Sequence, residues 1–408
     1  MSSSGTAQPI TSAPARTPVR QGAYTQLALA TLGFGVCFWA WALIGPLGTA
    51  YKKLFELSSG QQALLVAVPV IVGSLGRIPV GALTDRYGAR IMFPAVSFLT
   101  IAPVLFIGQF GTTYSRLLVA GFFLGIGGTS FAVGVPHVNS WFPPAHRGTA
   151  IGIFGIGMGG TAVSAFTTVK LVDAHGRSFP FFLVAGALLV YGLLAVLFIR
   201  DAAKPGPMKS SFLARTASVL RLKVTWQLSF LYAVGFGGFV AFSVYLPTYL
   251  KNDFSLTQVD AASRTAGFVV VAVLARPVGG WLSDRFHPAP VLTVCFAVVA
   301  AFAAVASLRQ DLVPVGTVAF LGMAAALGAA AGAVFALVAE AAPQDKVGGV
   351  TGLVGAAGGL GGFVPPLVMG AVYGRTGNYV LGFVLLALTA AAASVYAWTA
   401  MRRTDTNA

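Results

Sequence analysis

The chain of 408 residues is 56% hydrophobic and only 9% charged, with a mean hydropathy of +0.82. A soluble domain carries nearer a quarter charged residues, so a water-soluble enzyme is excluded and a polytopic helical membrane protein is indicated. The net charge of +15 does not mark a nucleic-acid surface, because the basic residues are dispersed over short loops with no contiguous basic face.

The first 24 residues are rich in Ser, Thr, Pro and Ala and read as a disordered tail. Twelve apolar segments follow, at residues 25–50, 60–83, 90–109, 115–138, 148–170, 179–199, 225–249, 259–282, 288–308, 314–339, 347–373 and 378–401. Each is long enough to cross a bilayer. They divide into an N-terminal half (25–199) and a C-terminal half (225–401), joined by a linker (200–224) and followed by a short tail (402–408). An even number of spans puts both chain ends on one side. Of the 26 Lys and Arg residues, fifteen fall on that side, nine on the other, and Arg77 and Arg276 lie inside spans. The excess makes the side of the chain ends cytoplasmic. The later part of the linker, SSFLARTASVLRLK, mixes apolar and basic residues. It reads either as an amphipathic helix on the inner leaflet or as a solvated connection between the halves.

The second span carries VGSLGRIPVGALTDRYGAR (72–90), with Arg77 eight residues before the exit Asp85-Arg86. At ~1.5 Å per residue, Arg77 sits roughly 12 Å below that exit, close to the middle of a hydrocarbon core ~30 Å thick. The pattern recurs in VAVLARPVGGWLSDRFH (271–287), with Arg276 eight residues before Asp284-Arg285 and 199 residues after Arg77. The fifth span opens on RGTAIGIFGIGMGG (147–160) and the eleventh on KVGGVTGLVGAAGGLGGF (346–363). Gly152 and Gly155 match Gly352 and Gly355 at an offset of 200. Glycine at this density costs helix stability in water and lets helices approach closely in lipid. Plain helix packing and surfaces that slide past one another both account for it.

An arginine at a helix centre costs ~2.5–3.5 kcal/mol on insertion scales. None of the eleven Asp and Glu residues falls at mid-span, and Glu340 at the end of the tenth comes nearest. The partner of the two arginines is then the cargo, a small anion. A guanidinium is flat, permanently charged and able to donate two parallel hydrogen bonds, which suits a planar oxyanion. Two such groups from two related halves form a clamp at the midplane, with Phe131, Tyr232 and Phe236 placed to restrict its size. His137 is the one ionisable group near this path that titrates around neutral pH. It reads as a proton carrier or as a packed polar residue. Cys37 and Cys295 are mid-span core residues, and the four histidines lack ligand spacing, so no metal or cofactor is expected. No nucleophile–base pair or phosphate loop suggests an enzyme.

The DRYGAR and DRF exits, with the long middle loop, resemble the major facilitator superfamily. GSLGR, GGTSFAVGVPHVNSWFPPAHRGTAIGIFGIGMGG and TGLVGAAGGLGGFVPPLVMG resemble its nitrate/nitrite porter branch, and the resemblance runs from about residue 25 to 401. It implies an all-α polytopic membrane protein, with twelve transmembrane helices in two pseudo-symmetric six-helix halves. It also implies alternating-access transport of nitrate, and nitrite with it, across the cytoplasmic membrane. Arg77 and Arg276 become the substrate clamp, Phe131, Tyr232 and Phe236 the pocket walls, and Gly155, Gly157, Gly355 and Gly358 the gating glycines. One position departs from the family. The fifth-span pattern often reads GxGNxG, and Met158 stands here in place of the asparagine. Proton/nitrate symport and nitrate/nitrite exchange therefore both stay open, as does a carrier of small organic anions such as formate or oxalate. The partners implied are nitrate, nitrite, protons and the lipid bilayer, and a monomer is expected.

Overall fold

The computed structural model describes residues 19–202, 212–343 and 346–400. The expected tails therefore lie outside the described residues over 1–18 and 401–408, and the linker does so over 203–211. Among the described residues the regular structure is entirely helical. Twelve helical stretches are long and apolar enough to cross a membrane: Ala23–Leu54, Ser59–Tyr87, Ala89–Phe110, Tyr114–Trp141, Thr149–His175, Phe179–Phe198, Lys223–Phe254, Gln258–Ser283, Pro288–Ser307, Leu312–Val338, Gly349–Thr376 and Val380–Thr399. They are the twelve spans expected from the sequence, with shifted ends. The first is longer than expected because the chain bends through Gly45-Pro46-Leu47 and resumes as a helix to Leu54. Leu99, Val119, Leu197, Leu274 and Val395 are exposed on the outside of the bundle. A multi-pass membrane protein turns such side chains to lipid.

Local chemistry sets the span ends. Ser58 and Gln61 form a reciprocal capping box at the start of the second span. Thr113 and Thr257 cap the fourth and eighth. The chain turns between the second and third spans at Gly88 with φ +80°, a conformation glycine adopts without steric cost. The first amides of the third span are then met by an acid from the end of the sixth. Asp201 Oδ1 accepts from Ala89 N at 2.8 Å and from Arg90 N at 3.3 Å, where a negative charge also complements the helix dipole.

Several spans are interrupted near their middles. The second is distorted at Gly76, between Ser59–Leu75 and Arg77–Tyr87, although Gly76 keeps helical backbone bonds to Val72 and Val80. The fourth and fifth tighten into 3-10 turns at Gly125–Thr129 and Ile156–Gly159. The eighth, which carries Arg276, is continuous over Gln258–Phe286. The halves meet where the second span packs on the eleventh and the eighth on the fifth. Each arginine-bearing span thus lies against the glycine-rich span of the other half.

The two faces of the bundle differ. On the face away from the linker, Gln62 Nε2 donates to Thr248 Oγ1 at 3.1 Å. Gln258 uses both ends of its amide there: Oε1 accepts from Thr49 Oγ1 and from Lys251 Nζ, and Nε2 donates to the Pro46 carbonyl. These bonds tie the first and second spans of one half to the seventh and eighth of the other. On the linker face the halves part around a cavity of about 450 Å³ that reaches from Asp85, Arg147 and Thr216 to Arg77, Phe131 and Gly355. The linker itself contributes a helix, Phe212–Leu220. Its Val219 is buried against Gly349, where an added Cβ would come within 2.8 Å of Val219. The segment is helical, as one of the two readings has it, but it packs on the eleventh span.

Gln258→Leu removes the amide that joins the halves on the closed face. The population open on that face is expected to rise by about tenfold, since each lost hydrogen bond is worth roughly 0.5–1.5 kcal/mol. The readout is a broadened distance distribution between spin labels at Lys53 and Asp253; an unchanged distribution would show that Gln258 does not hold this face shut.

Candidate functional site

Arg77 and Arg276 are both buried, 3% and 1% exposed, and both reach the same place. The Cζ of Arg77 lies 5.0 Å from the Phe131 ring centre and 5.4 Å from that of Phe236. For Arg276 the distances are 5.9 and 5.8 Å. The two rings are stacked, 6.4 Å apart at 24°. Two guanidinium groups therefore share two aromatic rings, a contact that ring quadrupoles favour most when water is excluded. Among the described side chains, no Asp or Glu is buried, so the cluster holds two positive charges without an acidic counter-ion.

Neutral acceptors hold the guanidiniums. Arg77 Nη1 donates to the Gly355 carbonyl at 2.6 Å and Nε to the Gly128 carbonyl at 3.3 Å. Arg276 Nη2 approaches the Tyr232 hydroxyl at 3.4 Å, and Nη1 meets Met158 Sδ. The two environments are unequal: Arg77 has two backbone carbonyls, whereas Arg276 has a weak thioether acceptor and a long bond to a phenol. An anion entering here replaces neutral acceptors with charged ones, and charge-assisted hydrogen bonds are roughly twice as strong as neutral ones.

The walls come from both halves. Tyr232 stacks on Phe236 at 5.0 Å and 1° and meets Phe335 edge-on at 4.8 Å. Phe335 also packs on Phe131 at 5.7 Å. Phe335 and the carbonyl of Gly128 were not expected from the sequence. Phe131 and Phe335 stand 204 residues apart rather than 199 or 200, so the internal repeat does not align them. The Phe-Ala pair that each begins was the available signal. A backbone carbonyl leaves no signal of residue type at all.

All five expected clamp and wall residues are together: Arg77, Arg276, Phe131, Tyr232 and Phe236. The four glycines divide. Gly155 faces Arg276 and Gly355 faces Phe131, each across the boundary between halves. Gly157 packs on Phe34 and Gly358 on Tyr232, each within its own half. The cavity is floored by Arg77 and Phe131, while Arg276, Tyr232 and Phe236 lie beyond its lining. His137 is buried between Phe93 and Trp141, with ring centres at 6.1 and 6.4 Å. Neither of its ring nitrogens has a hydrogen-bond partner. Its neighbours Pro136 and Asn139 line the cavity and His137 does not. Cys37 and Cys295 are buried free thiols, and among the described residues no group of His, Cys, Asp or Glu has the arrangement of a metal site.

The family model described as Major Facilitator Superfamily matches residues 30–366 and again 228–408. A Mycobacterium tuberculosis protein named "Probable nitrate/nitrite transporter NarK2" is 49% identical over 379 residues, covering 92% of this chain and 96% of that protein. The "Nitrite extrusion protein" of Bacillus subtilis is 38% identical, covering 91% and 93%. Among solved structures, a bacterial homolog of the human lysosomal transporter Spinster superposes with a TM-score of 0.70 at 18% identity, covering 94% of this chain and 98% of that one. The transporter FucP superposes with a TM-score of 0.67 at 20% identity, covering 93% and 99%. These last two likenesses are of fold.

Proposed function

Because the chain belongs to the nitrate/nitrite porter family of the major facilitator superfamily, we propose that it carries nitrate, and nitrite with it, across the cytoplasmic membrane by alternating access. One observation carries the reading. Two buried guanidinium groups from opposite halves converge on the same pair of rings, with no buried acid beside them among the described residues. A small planar oxyanion completes that site, because it supplies negative charge and accepts parallel hydrogen bonds from each fork. The names of the relatives favour nitrate and nitrite over formate or oxalate as cargo. Those relatives are named as transporters or an extrusion protein, and the arrangement here is likewise one for moving an anion unchanged.

One closed face and one cavity leading to Arg77 describe a carrier open to a single side. We take the linker side as cytoplasmic, on the excess of Lys and Arg there. For coupling we favour nitrate/nitrite exchange. Moving an empty site between its two states carries two uncompensated charges through the closed interior, and a bound monovalent anion offsets one of them. His137, the candidate for a proton carrier, is off the cavity lining, which weakens the symport alternative.

Arg77→Lys and Arg276→Lys each keep the charge and lose the fork. Nitrate transport is expected to fall at least tenfold in each, measured as counterflow in proteoliposomes; nitrate affinity equal to that of the parent protein, with normal expression, would remove that arginine from the site. For coupling, vesicles free of nitrite are given a pH gradient, acid outside. An exchanger takes up little nitrate until nitrite is loaded inside, whereas net uptake driven by the gradient alone would establish symport, with His137→Gln then testing the carrier. Orientation is read from thiols introduced at Ala217 and Gly377 after Cys37 and Cys295 are replaced. They are expected to label from the cytoplasmic and the opposite side respectively, and labelling of both from one side would overturn the topology.

A further inference from the structure

Each arginine rests on the other half, but the two seats differ. At Gly355 the contact is its carbonyl, which any residue supplies, and an added Cβ would meet only Phe131 at 3.4 and 3.8 Å, ordinary van der Waals distances. At Gly155 the contact is the bare Cα. An added Cβ would stand 3.0 Å from both Cδ and Nε of Arg276 and 3.3 Å from its Cζ.

The backbone does not require glycine at this position. Gly155 has φ −58° and ψ −22°, a right-handed helical conformation that alanine adopts freely. The arginine is flanked on the side away from Gly155. The atoms that would be struck are Cδ and two atoms of the guanidinium itself, Nε and Cζ. Its outer nitrogens are already against Met158 Sδ and the Tyr232 hydroxyl, and the Phe131 and Phe236 rings flank its Cζ. Interiors packed in this way transmit a shift of a few tenths of an ångström rather than absorb it.

We propose that Gly155 is a positioning residue for Arg276: its missing side chain is the seat that sets where the guanidinium lies in the anion site. This differs from a surface on which the halves rock. A rocking surface governs the speed of turnover, whereas a seat governs affinity. The inference rests on the reading that the arginines bind nitrate.

The test uses the purified full-length protein, with nitrate as the probe, in equilibrium binding and in counterflow. Gly155→Ala is expected to weaken nitrate binding on the order of tenfold, the scale of a misplaced charge-assisted hydrogen bond, with a smaller fall in the maximal counterflow rate. Gly159→Ala, in the same glycine run with nothing within 4 Å of its added Cβ, is expected to stay within about twofold. Arg276→Lys should cost much less in the Gly155→Ala background than alone, because the guanidinium is already displaced; such non-additivity marks direct contact. Unchanged affinity in Gly155→Ala, a loss of rate alone, or additive effects of the two substitutions would each overturn the seat. If Gly155→Ala lowers the yield of folded protein, adding Arg276→Ala should restore it, since truncation removes the Cδ, Nε and Cζ that the new methyl meets; no restoration also overturns the proposal. A parent protein that binds no nitrate would instead overturn the cargo reading.

Discussion

The arrangement depends on one electrostatic constraint, two guanidinium charges held in an apolar interior with no buried acid among the described residues. Arg77 meets only the floor of the cavity, and Arg276 lies beyond its lining. The surrounding structure answers with neutral groups that are negative where they face the guanidiniums: carbonyl oxygens, a thioether, a phenol and the faces of two phenylalanine rings. These stabilise the charges without cancelling them. A buried carboxylate would have cancelled them and competed with an anion for the same donors.

Seen this way, the glycine runs and the arginines belong to one arrangement. A guanidinium at the boundary between halves must pack against something thinner than an ordinary helix surface, and the opposite half offers a helix stripped of side chains at that height. The second span therefore lies on the eleventh and the eighth on the fifth. The internal repeat makes this pairing reciprocal, since an arginine and a glycine run placed in one half each acquire a partner in the other.

Much of this was legible in the sequence. The twelve apolar segments indicate the fold class, and the two arginines, with no Asp or Glu at mid-span, point to the place where the halves meet. The aromatic walls at Phe131, Tyr232 and Phe236 were also legible, through the family resemblance. What escaped has physical causes. The carbonyls of Gly128 and Gly355 are properties of the backbone, and no residue type announces them. Phe335 was hidden because four residues separate it from the register of the repeat. The network around Gln258 is built from Thr, Gln and a proline carbonyl at a span entrance, residues that look there like ordinary polar ends. His137 looked close to the path because sequence places it beside Pro136 and Asn139. One step along a helix turns a side chain by about 100°, enough to move it from the cavity wall to the interior of its own half.

Each arginine-bearing span has a weak point beside its arginine, of a different kind in each half. Arg276 lies in a helix of 29 residues, immediately before Pro277, which has no amide proton to give the carbonyl four residues back. Arg77 follows Gly76, which keeps helical backbone bonds to the Val72 carbonyl and the Val80 amide, so the helix carries on there through a residue without a side chain. One half lacks a backbone hydrogen bond at the level of its arginine and the other lacks only bulk, so the two related halves are not equally stiff at that height.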